Sequence, residues 1–202
     1  MLFNSLNFLL FLLLVVVVYY IFPQRIRWIW LLFSSLYFYT SWDAGPVLVL
    51  LTVTLISYTC ALGLRFNGGY KNFFLILGIL ANLGFLVTFK YLEFFSDQLS
   101  NFSLTQYLDA PRLNLPLPIG LSFYTFSAIS YLVDVHRGQL DAEKHLGRFA
   151  VYVAFFPKLF AGPIERARTF LPQLNARVQI EQKMLTEGLQ LILWGLFKKV
   201  VI

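Results

Sequence analysis

One segment of this apolar chain, Leu115 to Gly138, carries polar side chains at a spacing that favours chemistry. That spacing, three or four positions, places the polar residues on a single helical face. Because lipid offers no hydrogen-bond partners, a polar stripe in a membrane helix must face protein or water. The stripe therefore predicts either helix packing through small and hydroxyl residues or the wall of a substrate tunnel. Its members are Gly120, Tyr124, Ser127, Tyr131 and Asp134.

A second polar feature interrupts the apolar sequence FFPKLFAGPIERARTFLPQL, Phe155 to Leu174. The run breaks at Gly162 and Pro163, and Glu165, Arg166 and Arg168 follow at once. Two interpretations are open for these charges. They orient the break as structural groups, or they bind a polar acyl donor or a carrier protein.

Candidate acid and base groups are few. His136 and His145 are the only candidates for a general base near neutral pH, and both follow the striped helix in a basic surface stretch. We interpret them as surface histidines, and we expect an ion pair between Asp134 and Arg137 one helical turn away. The sequence contains no phosphate-binding glycine loop, metal-ligand cluster, nucleophile elbow or paired carboxylates. No catalytic residue and no metal site is predicted.

Composition indicates the environment in which these residues work. Hydrophobic residues make up 58% of the 202, charged residues only 13%, and the net charge is +6. Such a chain is typical of polytopic membrane proteins and cannot bury its apolar surface in water. The basic residues are scattered over short loops, which favours the inner membrane surface over nucleic acid as their partner. Cys60 is interpreted as a helix-packing residue.

Apolar runs long enough for a membrane helix predict four spans before the striped helix. Lys and Arg follow the first and third runs, and these residues concentrate on the cytoplasmic side. We therefore expect a multi-pass protein with its N-terminus outside and an extracytoplasmic loop from Ser96 to Arg112. The four spans are Leu6 to Phe22, Trp28 to Trp42, Pro46 to Leu64 and Phe73 to Phe95.

The later segments depart from simple spans. Phe149 to Ala161 is apolar but too short to cross comfortably, so we expect a re-entrant segment buried in protein. The striped helix is expected to begin near Pro118 and to end at Gly138. From Glu181 onward the pattern predicts an amphipathic helix. Residues 1–202 are expected to form a single membrane domain, apparently truncated at its C-terminus.

Three segments resemble successive motifs of the membrane-bound O-acyltransferase family, in the bacterial branch of alginate O-acetylases and the teichoic acid D-alanylation protein. They are Leu115 to Gly138, Phe155 to Leu174 and GLFKKVVI at Gly195 to Ile202. The similarity is dense from Leu115 onward, whereas the first four spans match mainly in hydropathy. The resemblance implies an all-α, polytopic bundle of tilted helices around a funnel or tunnel.

The resemblance also implies a function: the N-terminal part of an enzyme that moves an acyl group, expected to be acetyl, to hydroxyls of an exported polysaccharide. The location would be the bacterial cytoplasmic (inner) membrane. The acyl donor, an acyl thioester or acyl carrier, would be a co-substrate, and no cofactor is expected to be bound. Expected partners are the lipid bilayer, the polysaccharide, an acyl-donor protein and periplasmic acetylation proteins, but no nucleic acid.

Catalysis in such families uses a membrane-embedded histidine, which the resemblance places beyond Ile202. His136 stands where the family often has an aromatic residue, so the catalytic role is not transferred to it. A base is needed to accept the proton of the attacking alcohol, and donors must stabilise the charge on the acyl oxygen. The implied substrate-binding residues of this chain are tunnel walls and a cytoplasmic donor entrance: Ser122, Tyr124 and Tyr131, and Glu165 and Arg166.

Two alternatives remain open at this point. The chain is a non-catalytic membrane scaffold or transporter-like subunit that lacks the catalytic histidine, or it belongs to a lipid-modifying acyltransferase. A downstream histidine within an apolar segment separates enzyme from scaffold. Neighbouring genes for polysaccharide synthesis would distinguish the acceptors.

Overall fold

The structure is a computed structural model that describes residues 5–41, 45–65, 70–100, 118–160, 162–163, 165–176 and 182–200. Within these ranges all regular secondary structure is helical, which confirms the predicted all-α class. The helices are α1 (Leu6–Ile21), α2 (Arg27–Thr40), α3 (Val47–Gly63), α4 (Tyr70–Ser100), α5 (Leu121–His136), α6 (Leu146–Ala154), α7 (Phe156–Leu159), α8 (Ala167–Asn175) and α9 (Gln182–Val200).

The first four helices agree with the predicted spans within a few residues, except at the end of α4. This helix continues to Ser100, so residues 96–100 are helical where a loop was predicted. The rest of the predicted loop, residues 101–112, lies outside the described residues, as does Trp42. Ser5 begins α1 as its N-cap, because its side-chain oxygen accepts a hydrogen bond from the Phe8 amide at 3.2 Å.

The striped helix α5 ends as predicted, at Gly138. The Gly138 amide donates to the carbonyl of Val135 at 3.1 Å and the Gln139 amide to that of Asp134 at 3.0 Å, the pattern of a Schellman stop. Its start differs from the prediction, because Pro118 lies in a turn before the helix. Gly120 lies between this turn and the first residue of α5. Its φ of 78° is left-handed, so Gly120 is not part of the helix.

The predicted apolar segment from Phe149 to Ala161 is two helices rather than one. The first, α6, ends at Ala154, and α7 covers only Phe156–Leu159. Pro157 explains the interruption, because it has no N–H to donate to the preceding turn and its ring crowds the carbonyl four residues earlier. The Phe156 amide donates instead to the Ser35 hydroxyl of α2 at 3.2 Å.

Helix α6 lies at the centre of the bundle and contacts α2, α3, α5 and α8. Every residue from Phe149 to Ala154 is buried, and Phe149 and Tyr152 are fully enclosed. The interrupted backbone around α7 is therefore packed inside protein, where its polar groups find partners.

Helices α3, α4 and α5 form the other tightly packed part. The backbone of α4 approaches closely at Gly78, where a methyl group would lie 2.6 Å from Leu132 and 3.2 Å from Cys60. Cys60 is buried there as a free thiol, which confirms its packing role. Asn82 joins α4 to α3 by donating to the Ser57 hydroxyl at 2.9 Å.

The outer surface of the bundle is apolar. On α1 the exposed side chains include Leu6, Leu10, Leu13 and Val17, and α3 and α4 expose leucines in the same way. Among the described helices, one segment, Tyr70–Lys90, is both long and apolar enough to cross a membrane. Leu6–Ile21 and Val47–Gly63 are apolar but shorter.

Candidate functional site

The polar stripe of α5 lies on its buried face. Tyr124, Ser127, Tyr131 and Asp134 are each less than 5% exposed, although they are polar. Helix α5 packs against α3, α4, α6, α7 and α8, so this face meets protein on several sides. The structure thus confirms that these residues share one face and that this face is turned away from the outer surface.

Two hydroxyls of the stripe bond to backbone groups. The Ser127 hydroxyl donates to the carbonyl of Phe123 at 2.8 Å within the helix. The Tyr131 hydroxyl accepts a hydrogen bond from the Glu143 amide at 2.8 Å, which fixes the loop between α5 and α6. These contacts are what the helix-packing interpretation of the stripe requires.

The other predicted tunnel residues occupy the start of the helix. Tyr124 is buried beside Tyr39 of α2, and the two hydroxyl groups interact. Ser122 is half-buried two residues earlier. At the same end, the backbone at Gly120 touches the Leu159 carbonyl of α7, so close that any Cβ would collide with it.

Tyr152 of α6 links three parts of the bundle. Its hydroxyl lies 3.1 Å from the carbonyl oxygen of Ser127 on α5 and 3.1 Å from that of Glu165 beyond the break. Its ring packs against Phe170 of α8 with a centroid distance of 5.6 Å. The residue therefore holds the break segment against the striped helix.

Lys158 lies buried beside this tyrosine. Its ammonium nitrogen is 3.8 Å from the centroid of the Tyr152 ring and 4.7 Å from that of Phe170, a cation–π arrangement. The side chain is 8% exposed, and its nitrogen has no hydrogen-bond partner among the described residues. Buried charges are normally paired, so this lysine stands out chemically.

Asp134 is a second buried charge in the same region, near enough to interact electrostatically with Tyr152. One of its carboxylate oxygens, Oδ2, is buried without a hydrogen bond to any described residue. The predicted ion pair with Arg137 is wrong, because Arg137 is exposed to solvent while Asp134 faces the interior.

The break segment, which follows Gly162 and Pro163, contains two predicted site residues. Only one of them lies near the buried side chains of Tyr152, Lys158 and Asp134, which we call the cluster. Gly162 lies against Lys158, where a Cβ atom would be 2.5 Å from the lysine Cα. Glu165 is half-buried and interacts electrostatically with Lys158, whereas Arg166 is exposed at the start of α8. Glu165 therefore joins the cluster through its side-chain charge and its carbonyl, and Arg166 does not.

The histidines lie apart from the cluster. His136 Nε2 is 2.9 Å from Oδ1 of Asn72 at the start of α4. The exposed His145 packs its ring edge-on against Trp28 with a centroid distance of 4.6 Å. The described residues contain no group of three or more potential metal ligands.

Neither Tyr152 nor Lys158 is predicted as a site residue from the sequence, although the sequence around Lys158 carries a signal. Lys158 stands in FFPKLF, and an ionisable residue within an apolar membrane segment is a functional candidate by default. Tyr152 carried no such signal, because a tyrosine in FAVYVAFF looks like any other packing residue. Its partners lie far away in the sequence and come together only in the fold.

Comparison with known proteins shows the class of proteins to which this chain is similar. The chain is similar to proteins named as O-acetylases and O-acetyltransferases, which confirms the resemblance that the three motifs carry. The probable alginate O-acetylase AlgI of Pseudomonas aeruginosa is 38% identical over 100% of this chain, which covers 40% of that protein. The peptidoglycan O-acetyltransferase of Helicobacter pylori is 32% identical over 86% of this chain and 38% of its own length.

A teichoic acid D-alanyltransferase of Bacillus subtilis is 29% identical over 46% of this chain and 24% of its own length. The chain thus spans about 40% of the length of the alginate O-acetylases that it matches. No family model matches the chain. No solved structure matches it either.

Proposed function

We propose that this chain forms part of a membrane O-acyltransferase that moves an acyl group, most simply acetyl, to hydroxyls of an exported polysaccharide. Similarity to alginate O-acetylases along the whole chain carries this proposal. The peptidoglycan O-acetyltransferase adds support, since its name gives the same chemistry on another polysaccharide.

The buried cluster around Tyr152 supports the proposal from the structure. A lysine nitrogen and a carboxylate oxygen without hydrogen-bond partners among the described residues lie near a break in the backbone, inside a protein with an apolar exterior. Polar groups in such a setting are costly, and they mark the places where membrane proteins handle polar substrates. A purely structural bundle would gain from apolar residues at these positions.

The reaction would proceed as acyl transfer between two oxygen- or sulfur-bound carriers. With a thioester donor, a hydroxyl oxygen of the acceptor bonds to the acyl carbon while a base takes the hydroxyl proton, and the carbon–sulfur bond breaks so that the donor leaves as a thiolate, which regains the proton. We assign no base within this chain. Lys158 is a candidate for stabilising the negative charge that develops on the acyl oxygen, because it is a buried donor without an acceptor among the described residues.

The substrate-binding residues remain proposals. Ser122, Tyr124 and Tyr131 would line the acceptor or acyl path along α5, where both tyrosines are fully buried and Ser122 is half-buried. Glu165 and Arg166 would form the donor entrance. The proximity of Glu165 to Lys158 supports its part in that entrance, and the exposure of Arg166 suits contact with a donor protein.

We propose a multi-pass arrangement in the bacterial cytoplasmic membrane with the N-terminus outside. The apolar exterior of α1, α3 and α4 supports the membrane location. The basic residues near the ends of α1 and α3, such as Arg25 and Arg65, support the orientation. Proposed partners are the polysaccharide acceptor, an acyl-donor protein and periplasmic acetylation proteins.

A non-catalytic scaffold or transporter-like subunit is the second candidate. It is favoured by the backbone bonds of Ser127 and Tyr131, which a packing role explains fully. Under this alternative the cluster around Lys158 would have no effect on acyl transfer.

The test is a chromosomal exchange of Glu165 for Gln in the source cell, with any further coding sequence left intact. The O-acetyl content of the polysaccharide is measured by proton NMR, and the membrane level of the protein by immunoblot. We expect the O-acetyl content to fall several-fold at an unchanged protein level. Asp141→Asn, the same kind of exchange at an exposed position in the loop between α5 and α6, is the control and should leave both quantities unchanged. If disrupting the whole gene leaves O-acetylation intact, the enzyme proposal fails.

A further inference from the structure

Two cavities meet at Leu174, near the C-terminal end of α8. The larger, about 800 Å³, lies between the α1–α2 loop, the start of α6 and the end of α8. The smaller, about 330 Å³, runs between α1, α2, α7 and α8. Leu174 lines both cavities, so they adjoin there, and we call the two together the recess.

The larger cavity is basic. Arg25 and Arg148 line it together with the polar residues Gln24 and Asn175, and none of its lining residues is acidic. Neither arginine forms an ion pair with a described carboxylate. Two such guanidinium groups at one recess attract an anion, and guanidinium groups bind phosphate oxygens well.

The smaller cavity is apolar and opens beside α1. Its walls come mainly from aliphatic and aromatic side chains, and the lining residue Val16 also belongs to the exposed apolar face of α1. Tyr19 and Tyr20 also line this cavity, and the guanidinium carbon of Arg27 lies 4.9 Å from the Tyr19 ring centroid. Aromatic and basic residues together are typical of the headgroup level of a membrane.

We propose that this recess binds one anionic phospholipid of the surrounding bilayer. Its phosphate would contact Arg25 and Arg148, and an acyl chain would lie in the groove beside Val16. The recess is assigned no part in acyl transfer. The inference rests on the proposed function only for the membrane location, since a bilayer must supply the lipid.

A lipid fits the recess better than a soluble phosphate compound does. The apolar groove is continuous with the exposed side chains of α1, so an acyl chain enters from the side without leaving hydrocarbon. A soluble anion would use only the basic end. Each arginine near a membrane surface adds about 1 kcal/mol to the binding of anionic lipid, or roughly a fivefold change in affinity.

The test is native mass spectrometry of the full chain in detergent, with phosphatidylglycerol and phosphatidylcholine of identical acyl chains as the probes. We expect preferential retention of phosphatidylglycerol. Arg25→Gln and Arg148→Gln should each lower that preference about fivefold, the change that corresponds to the loss of one arginine at a membrane surface. Arg65→Gln and Arg137→Gln remove exposed arginines that do not line the recess, and they should leave the preference unchanged.

Val16→Trp should fill the apolar end and lower the retention of both lipids while their ratio stays the same. Thermal unfolding of each variant shows whether the fold is kept, and lipid retention is compared only among folded variants.

Equal preference in the wild type and the Arg25→Gln/Arg148→Gln double variant would overturn the proposal. Complete displacement of the lipid by inorganic phosphate or glycerol phosphate would overturn it too, because it would indicate a site for the phosphate alone. Lipid retention does not depend on acyl transfer, so a protein without transferase activity would still give a clear result.

Discussion

The ammonium nitrogen of Lys158 lies 3.8 Å from the centroid of the Tyr152 ring. The ring face holds the cation by electrostatic attraction, and no oxygen of the described residues competes for its protons. Tyr152 is itself fixed through its hydroxyl to the carbonyls of Ser127 and Glu165. The lysine is thus held in a defined position to meet a substrate, while its donors remain available.

Exchange of Lys158 for Met should lower acyl transfer without lowering the stability of the fold. Removing a buried charge that has no hydrogen-bond partner among the described residues relieves a desolvation cost, so we expect an unfolding temperature equal to or above that of the wild type. Acyl transfer should fall by about a hundredfold, as expected for the loss of one donor to the acyl oxygen. Thermal unfolding in detergent and the O-acetyl content of the polysaccharide check the two parts. The exposed Lys144→Met is the control, and undiminished acyl transfer in Lys158→Met would contradict the role.

Tyr152→Phe should destabilise the bundle. The change removes the hydroxyl that lies between the carbonyls of Ser127 and Glu165 and joins α5 to the break segment, a loss of about 1–2 kcal/mol in the free energy of unfolding. Denaturant titration followed by circular dichroism measures it. Tyr58→Phe is the matched control, since its hydroxyl donates to the Lys144 carbonyl at 2.6 Å on an exposed surface. A loss in Tyr58→Phe as large as that in Tyr152→Phe would argue against the linking role.

Gly120→Ala should disturb the contact between α5 and α7. An alanine at a φ of 78° costs about 1 kcal/mol, and its Cβ would also collide with the Leu159 carbonyl. Gly138→Ala separates the two effects, because that glycine has a φ of 71° but open space around it. We expect Gly120→Ala to lower the unfolding temperature clearly more than Gly138→Ala does. Equal shifts would mean that the close approach to α7 contributes nothing.

Single cysteines should report the proposed orientation. In a Cys60→Ala background, Thr40→Cys is expected to react with a membrane-impermeant maleimide in intact cells, because the end of α2 would face outside. Arg25→Cys and Arg65→Cys should react only after the inner membrane is permeabilised. All three positions are exposed to solvent in the structure, so a lack of reaction reports the membrane barrier. The reverse pattern would place the N-terminus inside.

Local sequence was sufficient for the helices and for some of their ends. Gly138 was recognised as the stop of α5 because a glycine at that place adopts the left-handed conformation without steric cost. The spacing from Tyr124 to Asp134 placed the polar stripe on one face because helical geometry fixes that relation. The motifs at Leu115 to Gly138 and Phe155 to Leu174 were sufficient to identify the class of related proteins, because a run of residues in order is itself a property of the sequence.

The cluster could not be predicted in this way. Lys158 and Tyr152 are separated from Ser127 and Asp134 by a loop and a helix, and the expected partner of Asp134 was the neighbour Arg137. Local spacing favoured that ion pair, but Asp134 faces the interior of the bundle whereas Arg137, the C-cap residue of α5, is exposed to solvent. The split of the segment after Phe149 also depended on tertiary contacts, since Ser35 of α2 supplies the acceptor for the freed amide of Phe156.

The sequence by itself determined an apolar, all-helical chain with a polar face on α5 and a break near Gly162, because composition and periodicity are local properties. The tertiary structure alone decided which polar groups of the described residues meet and which of their charges lack a partner. Those outcomes depend on how distant helices pack around α6, and the free energy of a buried charge is set by its neighbours in space.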